Sequence, residues 1–259
     1  MHKLATLFNG DAATWHRLAE AAQTQLSSLF KSNSVQLDFF DAAVAGFTKE
    51  NLVMAAKAKE TRNKSRPKNL KMIENDPILD EALAAKLGSL IEKARTYTSS
   101  EPNLADRAKK LMSLSANKPA TKLAKGSGPC TSSFVLAHFC PDLFPFYCQK
   151  QWETVAQVKA LKLDKECKFT EAQGAVFYAI VLELVELINS NRTDDKRVTP
   201  LDVSNVLWYS RIKGGEILDQ ILKPLELVEG GSAVKVEGGE DDVLEADTPP
   251  KKKRRMVME

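Results

Sequence analysis

The sequence predicts an all-α fold, in which a bundle-like set of helices is followed by a C-terminal tail outside the core. Apolar residues recur at steps of three and four along several segments, the spacing that lines one face of a helix. Residues whose side chains cap helices precede most of these segments. No run alternates apolar and polar residues well enough to predict a sheet. With 259 residues, 43% of them hydrophobic, the chain is long enough to bury a substantial core.

The first half of the chain contains four predicted helices. Asp11 is placed to cap a helix that reaches Phe30, and Thr48 to start a second. Asp76 and Pro77 open a third, since proline suits the first turn of a helix. A fourth helix is indicated by its apolar residues alone. The apolar faces of the four helices, in chain order, are Trp15, Leu18, Ala22, Leu26 and Leu29 for the first; Leu52, Val53 and Ala56 for the second; Leu79, Leu83, Leu87, Leu90 and Ala94 for the third; and Leu104, Ala108, Leu111 and Leu114 for the fourth.

Two further helices are predicted near the C-terminal end of the helical region. Thr170-Glu-Ala-Gln173 has the spacing of a capping box, and a strongly apolar segment from Phe177 to Ile188 follows it. Thr199-Pro-Leu-Asp202 caps a last helix. These elements complete a predicted helical domain over residues 1–228. Trp15, Trp152 and Trp208 are predicted to be core side chains.

The segment from Lys122 to Phe139 contains a Gly-x-Gly turn that is expected to end one helix and to begin another at Pro129. Gly126 and Gly128 permit positive φ and carry no side chain, so the backbone amides of the turn can approach an anion closely. The amides and the dipole of the following helix point at the same place. The pattern, within about residues 118–140, is typical of a phosphate-binding hairpin.

The hairpin sequence Lys125-Gly-Ser-Gly-Pro-Cys-Thr-Ser-Ser133, followed by Pro145-Phe-Tyr147, resembles the helix-hairpin-helix of the endonuclease III type DNA glycosylases. It more closely resembles uncharacterised eukaryotic, mainly fungal, proteins with the motif L-K-G-V-G-P-A-T-A-S. The resemblance covers residues 65–212. Ala124 and Ser127 replace the usual Leu and Val of the motif. The resemblance implies DNA binding through the hairpin.

The positions at which the glycosylases carry catalytic groups hold other residues here. Cys148, with Gln149 next to it, stands in place of the catalytic Asp, and Cys130 stands in place of the nucleophilic Lys of the bifunctional members. The nearest acids, Asp142 and Glu153, are several residues out of register. The resemblance therefore implies DNA binding without base excision, and no catalytic residue is predicted.

A basic segment over residues 57–71 is the second functional signal. It holds seven Lys or Arg residues against the single acid Glu60, and it lacks aromatic residues. Such a segment can neutralise backbone phosphates but offers little recognition of bases. Lys118, Lys122 and Lys125 lead into the hairpin and extend the same charge. A solvated loop between two helices is an equally valid interpretation of the segment.

The tail over residues 229–259 is predicted to be disordered, because it is rich in Gly and acidic residues and poor in apolar ones. It ends in two prolines and a basic run that resembles a monopartite nuclear import signal. This pattern predicts residence in the nucleus and an import receptor as a partner. The residues of the predicted signal are Lys251, Lys252, Lys253, Arg254 and Arg255.

No metal, cofactor or membrane partner is predicted. The four cysteines have no close paired spacing, which favours free thiols over a metal site. No segment has the length and hydropathy of a membrane span.

The favoured hypothesis is a nuclear, non-catalytic protein that binds duplex DNA through phosphate contacts without sequence preference. The alternative is a helical protein-protein adaptor whose Gly-x-Gly turn only connects two helices. A third hypothesis is a divergent glycosylase with relocated catalytic groups. The predicted DNA-contacting residues are Lys122, Lys125, Gly126, Ser127, Gly128, Thr131, Arg62, Lys64, Arg66 and Lys68.

Overall fold

The computed structural model describes residues 2–41, 43–62, 67–116, 118–191 and 196–223. Within these ranges the chain is all-α, as predicted, and the one extended pairing is an isolated antiparallel bridge between Phe8 and Leu222. The helices belong to one compact unit that spans Met1–Leu225. The tail predicted over residues 229–259 lies outside the described residues.

Three turns of 3-10 helix lie in the connections between the helices: Asp38–Asp41 and Val44–Gly46 between the second and third helices, and Lys159–Leu161 between the eighth and ninth. In chain order the α-helices are α1 (His2–Leu7), α2 (Ala12–Ser32), α3 (Lys49–Arg62), α4 (Pro67–Glu74), α5 (Asp80–Ser100), α6 (Leu104–Ser115), α7 (Pro129–Phe139), α8 (Gln149–Ala156), α9 (Glu171–Ser190), α10 (Pro200–Lys213) and α11 (Gly215–Ile221).

Most of the predicted helix starts are confirmed by hydrogen bonds of the capping side chains. The Asp11 carboxylate accepts from the Thr14 amide at 3.0 Å, and the Thr48 hydroxyl accepts from the Asn51 amide at 3.2 Å. Thr199 and Asp202 form the reciprocal capping box of α10. The hydroxyl of Thr170 caps α9, but the predicted capping box is incomplete, since Gln173 Oε1 accepts from the Lys168 amide at 2.7 Å.

The predicted start of the third helix at Asp76-Pro77 is wrong, since α5 begins at Asp80. One carboxylate oxygen of Asp76 accepts from the Ile78 amide at 2.9 Å and closes a turn ahead of the helix. Asp80 then accepts from the Lys49 amide at 2.7 Å and joins the start of α5 to the start of α3. Local hydrogen bonding by an Asp side chain thus replaces the first helical turn.

The core lies where α9 packs along α6 and where α10 packs between α2 and α8. The three tryptophans predicted to be core residues are buried: Trp15, Trp152 and Trp208 each expose 2% or less of their surface. Phe144, Phe146 and Tyr147, on the loop before α8, are completely buried as well. Burial of this many large side chains is the main source of stability for such a unit.

Four helices were not predicted, namely α1, α4, α8 and α11, and two of them, α4 and α8, bear on function. The basic segment is helical wherever it is described, because α3 continues to Arg62 and α4 begins at Pro67. Ile73 is the buried residue of α4 and anchors it to the core. The described part of the segment is therefore not a loop. Helix α8, which was also not predicted, begins directly after Cys148.

The segment before the Gly-x-Gly turn differs from the expected helix. From Lys118 to Lys122 it forms a single turn, in which the amides of Thr121 and Lys122 both donate to the Lys118 carbonyl. The Thr121 hydroxyl donates to the Ala116 carbonyl at 2.7 Å and ties this turn to the end of α6. The helix after the turn begins at Pro129, as predicted.

Candidate nucleic-acid interface

The hairpin, which we define as Ala124–Gly128, is closed by its own serine. The Ser127 hydroxyl accepts from the Ala124 amide at 2.9 Å and donates to the Ala124 carbonyl at 2.6 Å. The Ser127 amide donates to the same carbonyl at 3.0 Å. Ser127 is only 1% exposed, so its side chain shapes the turn and is not on the surface. It replaces with hydrogen bonds the apolar contact of the usual Val.

Gly126 is required by packing against α4. Its φ of +95° lies in the left-handed region, as predicted. A Cβ at this position would lie 2.5 Å from the Asn69 carbonyl oxygen and 2.7 Å from Met72 Cβ. One face of the hairpin is therefore covered by α4, and the absent side chain of Gly126 permits this contact.

Gly128 is the open glycine of the pair. Its φ of −98° and ψ of −178° are ordinary extended values, so the positive φ that the sequence permitted is not used. A Cβ at Gly128 would meet no described atom within 4 Å. The amides of Gly126 and Gly128 both have no acceptor among the described residues.

The carboxylate of Asp76 accepts a hydrogen bond from one backbone amide of the hairpin. The Lys125 amide donates to the carboxylate of Asp76, and the other oxygen of that carboxylate accepts from Ile78. Asp76 thus joins the hairpin to the connection between α4 and α5. One amide that a phosphate could use is therefore bonded within the protein.

A cleft of about 430 Å³ lies between α4 and the hairpin. Lys68, Lys71 and Lys125 line it, and all three are exposed. Its other walls are Pro67, Met72 and Asn75, and no acidic residue lines it. Three cations around a concave surface produce a positive potential that a low-dielectric wall strengthens. We call this surface the α4–hairpin cleft.

The remaining predicted residues of the hairpin region have different positions. Lys122 is half-buried and lines a second cleft of about 420 Å³ on the side of Pro119 and Asp76, which Lys125 also borders. Thr131 is 4% exposed and belongs to the buried part of α7. Lys118, expected to extend the positive face, forms an ion pair with Glu171 at 2.7 Å.

Arg62 was predicted to contact phosphate, and its position in the structure does not allow this. Its side chain is completely buried. The guanidinium lies 4.4 Å from the ring centre of Phe146 and 5.1 Å from that of Trp208, and Nη2 donates to Asn205 Oδ1 at 2.9 Å. Burial lowers the pKa of Arg62 to about 10. Arg62 lies on the buried face of α3 together with Leu52 and Ala55, and the two aromatic rings stabilise its cation there.

Several predicted residues lie outside the described residues. They are Lys64 and Arg66 of the basic segment, and all five residues of the predicted import signal, Lys251, Lys252, Lys253, Arg254 and Arg255.

Cys148, which the resemblance aligns with the catalytic Asp of the glycosylases, has a structural role in this fold. Cys148 is completely buried and caps α8, its sulfur accepting from the Gln151 amide while its own amide donates to Gln151 Oε1 at 2.8 Å. Burial raises the pKa of the Cys148 thiol. Gln149 donates to Glu153 at 2.7 Å, and Glu153 is paired with Arg211 at 2.9 Å. Asp142, the other acid near the hairpin in sequence, is exposed.

Neither a metal cluster nor a membrane-spanning helix is found in the described part of the chain. The described His, Cys, Asp and Glu residues form no group of three or more that could hold a metal ion. No described helix combines the length and the apolar character needed to cross a membrane.

The sequence interpretation missed the contribution of α4 to this surface. Met72 and Asn75 were not among the predicted residues, and Lys71 was noted only as part of the basic segment. Pro67 at a first helical position, with Leu70 and Ile73 three residues apart, was a signal for the helix. No sequence signal indicated that Asp76 would bind the hairpin amide, because the two lie 49 residues apart.

Comparisons with known proteins returned no match to a family model, to a curated protein or to a solved structure.

Proposed function

We propose that this protein is a nuclear, non-catalytic DNA-binding protein. Its α4–hairpin cleft and the open amides of its hairpin, in the manner of a helix-hairpin-helix, contact the phosphates of a duplex without sequence preference. The observation that carries the proposal is the placement of Lys68, Lys71 and Lys125 around one concave surface between α4 and the hairpin.

The physical reasoning starts from the cleft. Its three lysines have no acid among the lining residues to neutralise them, so a phosphate backbone can release counterions on contact with them. The amides of Gly126 and Gly128, in the same hairpin as Lys125, have no acceptor among the described residues and can serve as neutral donors. No aromatic ring lines the cleft. Recognition through backbone phosphates is therefore favoured over stacking on bases.

The absence of catalysis is part of the proposal. Base excision needs a group that stabilises the positive charge developing on the sugar or that activates water. Cys148 is a buried thiol whose pKa is raised by burial, and Gln149 is neutral. The purified protein is expected neither to release bases nor to cut abasic DNA, and turnover that is lost on mutating Asp142 or Glu153 would contradict this.

The adaptor hypothesis remains the alternative, since Gly126 has a structural role against α4 whether or not DNA binds. The two functions differ in one measurement. An adaptor has no need to bind duplex DNA, whereas phosphate contacts give an affinity that falls steeply with salt.

The experiment measures duplex binding by fluorescence anisotropy over a range of salt concentrations. Changing Lys68, Lys71 and Lys125 to Ala should weaken binding to all sequences alike. It should reduce the slope of log affinity against log salt by about 2.7, since each lost phosphate contact reduces it by about 0.9. The matched control changes Lys31, Lys93 and Lys109, which are exposed and line no part of the cleft.

Both triple variants remove the same net charge. A loss of DNA affinity that occurs only in the cleft variant therefore indicates that DNA contacts the cleft. An equal fall in slope for the two variants would indicate a general effect of net charge and would refute the cleft. No binding of duplex DNA by the parent protein at low salt would refute the proposed function as a whole.

A further inference from the structure

A second basic surface lies on the connection between α8 and α9, separate in its lining residues from the α4–hairpin cleft. A cleft of about 550 Å³ there is bordered by Lys159, Lys162, Lys165 and Arg211, with Glu153 as the only acid in its lining. Since Glu153 is paired with Arg211 at 2.9 Å, the three lysines give the cleft its net positive charge.

The three lysines have no described carboxylate at ion-pair distance. Two acids belong to the same connection, Asp164 and Glu166, and both are directed to Lys168, at 2.8 and 3.9 Å respectively. Asp164 and Glu166 therefore neutralise the charge of Lys168, and the three lysines that border the cleft remain available to another molecule.

The backbone supports the same surface. Lys162 ends the turn Lys159–Leu161 with a φ of +53° and a ψ of 39°, in the left-handed region. Gly or Asn would adopt this conformation with less strain than Lys. A non-glycine residue held in such a conformation is a recurrent feature of binding loops, and here the residue that is held contributes its side chain to the lining of the cleft.

A second cleft of about 500 Å³ adjoins the first and shares Gln157, Val158 and Lys159 with it, and its lining adds Lys223 and one acid, Asp219. Aliphatic side chains form the walls of both, including Leu163 in the first and Leu222 in the second. Neither cleft is lined by an aromatic residue. Bases of a single strand would find no ring to stack on, whereas aliphatic side chains of a peptide would find apolar contacts.

We propose that these two adjoining clefts, which we call the Lys159 groove, bind a short peptide segment of a partner protein that carries both acidic and aliphatic side chains. Carboxylates of the peptide pair with Lys159, Lys162 and Lys165, and its aliphatic residues lie against Val158 and Leu163. The inference goes beyond the proposed function and does not depend on it.

The test uses the full-length protein and a fluorescein-labelled synthetic octapeptide in which Asp or Glu alternates with Val or Leu. A second octapeptide replaces every acid with the corresponding amide. The acidic peptide should bind at least tenfold more tightly than the amide peptide. Changing Lys159, Lys162 and Lys165 to Ala should weaken binding of the acidic peptide at least tenfold. The Lys31, Lys93 and Lys109 variant, with the same change in net charge, should bind it as the parent does.

Three results would overturn the inference: equal binding of the two peptides, unchanged affinity in the groove variant, or equal losses in the two variants. A duplex DNA competitor that displaces the peptide, together with a lower salt slope for DNA in the groove variant, would assign the groove to nucleic acid instead. The Lys68, Lys71 and Lys125 variant should keep its peptide binding, so failure of the DNA proposal and failure of the peptide inference are distinguishable.

Discussion

Substitution by alanine should destabilise the protein at Gly126 and leave its stability unchanged at Gly128. Gly126→Ala places a Cβ 2.5 Å from a backbone oxygen of α4, at a φ of +95°. The left-handed conformation costs about 1–2 kcal/mol for a non-glycine residue, and forcing an extra carbon into a packed contact costs about 1–3 kcal/mol. The free energy of unfolding should therefore fall by about 2–5 kcal/mol. Gly128→Ala adds its Cβ where no described atom lies within 4 Å and where φ is ordinary. Its stability should stay within about 0.5 kcal/mol of that of the parent.

Thermal unfolding followed by circular dichroism measures the difference. For a protein of this size 1 kcal/mol corresponds to about 2–4 °C in Tm, so Gly126→Ala should melt about 4–20 °C below the parent while Gly128→Ala melts with it. If Gly126→Ala melts within a degree of the parent, the hairpin does not pack on α4 as described. Gly128→Val tests the role of the open glycine in DNA binding. Its branched side chain should weaken binding to duplex DNA while the variant remains folded.

Three further predictions follow from individual residues. Arg62→Ala should destabilise the protein by about 3–5 kcal/mol because it empties a packed site. Arg62→Met keeps the side-chain volume and removes a buried charge, so it should destabilise the protein far less. A lower salt slope for DNA binding in Arg62→Met would contradict the buried position of Arg62. Burial lowers the pKa of His138 to about 4, and the charge of Arg62 lowers it further. Between pH 6.5 and about 4, His138 therefore binds a proton in the unfolded state and not in the folded state. Stability should fall in that window as the pH falls, by at most about 3 kcal/mol, and urea unfolding of His138→Gln should show a smaller change between pH 7 and pH 5. A fluorescent fusion that ends at Asp247 should spread into the cytoplasm while the full-length fusion stays nuclear, and equal nuclear enrichment of the two would contradict the import signal.

Helix starts that depend on local hydrogen bonds could be predicted from the sequence. Asp11, Thr48, Thr170 and Thr199 cap helices as expected because an N-cap bond joins residues only two or three positions apart. The all-α class and the burial of the tryptophans follow from the spacing of apolar residues, which is also local. Where a local pattern permitted two outcomes, prediction failed: Asp76 closes a turn ahead of α5 and does not start the helix.

The candidate site was predicted only in part, because its geometry depends on contacts between distant segments. Residue types could indicate a hairpin at Gly126 and Gly128 and an excess of positive charge over residues 57–71. They could not show that Arg62 turns into the core between Phe146 and Trp208, since both rings come from segments far along the chain.

The sequence by itself determined the helical class, most of the helix starts and the position of the Gly-x-Gly turn, because these depend on interactions within a few residues. Only the tertiary structure decided which lysines surround the α4–hairpin cleft and which glycine is covered. It also decided that Lys159, Lys162 and Lys165 line a groove while Lys168 is neutralised by its neighbours. The physical reason is that the exposure and pairing of a charge are set by the segments packed around it, and the packing of α4 against the hairpin joins residues about 50 positions apart.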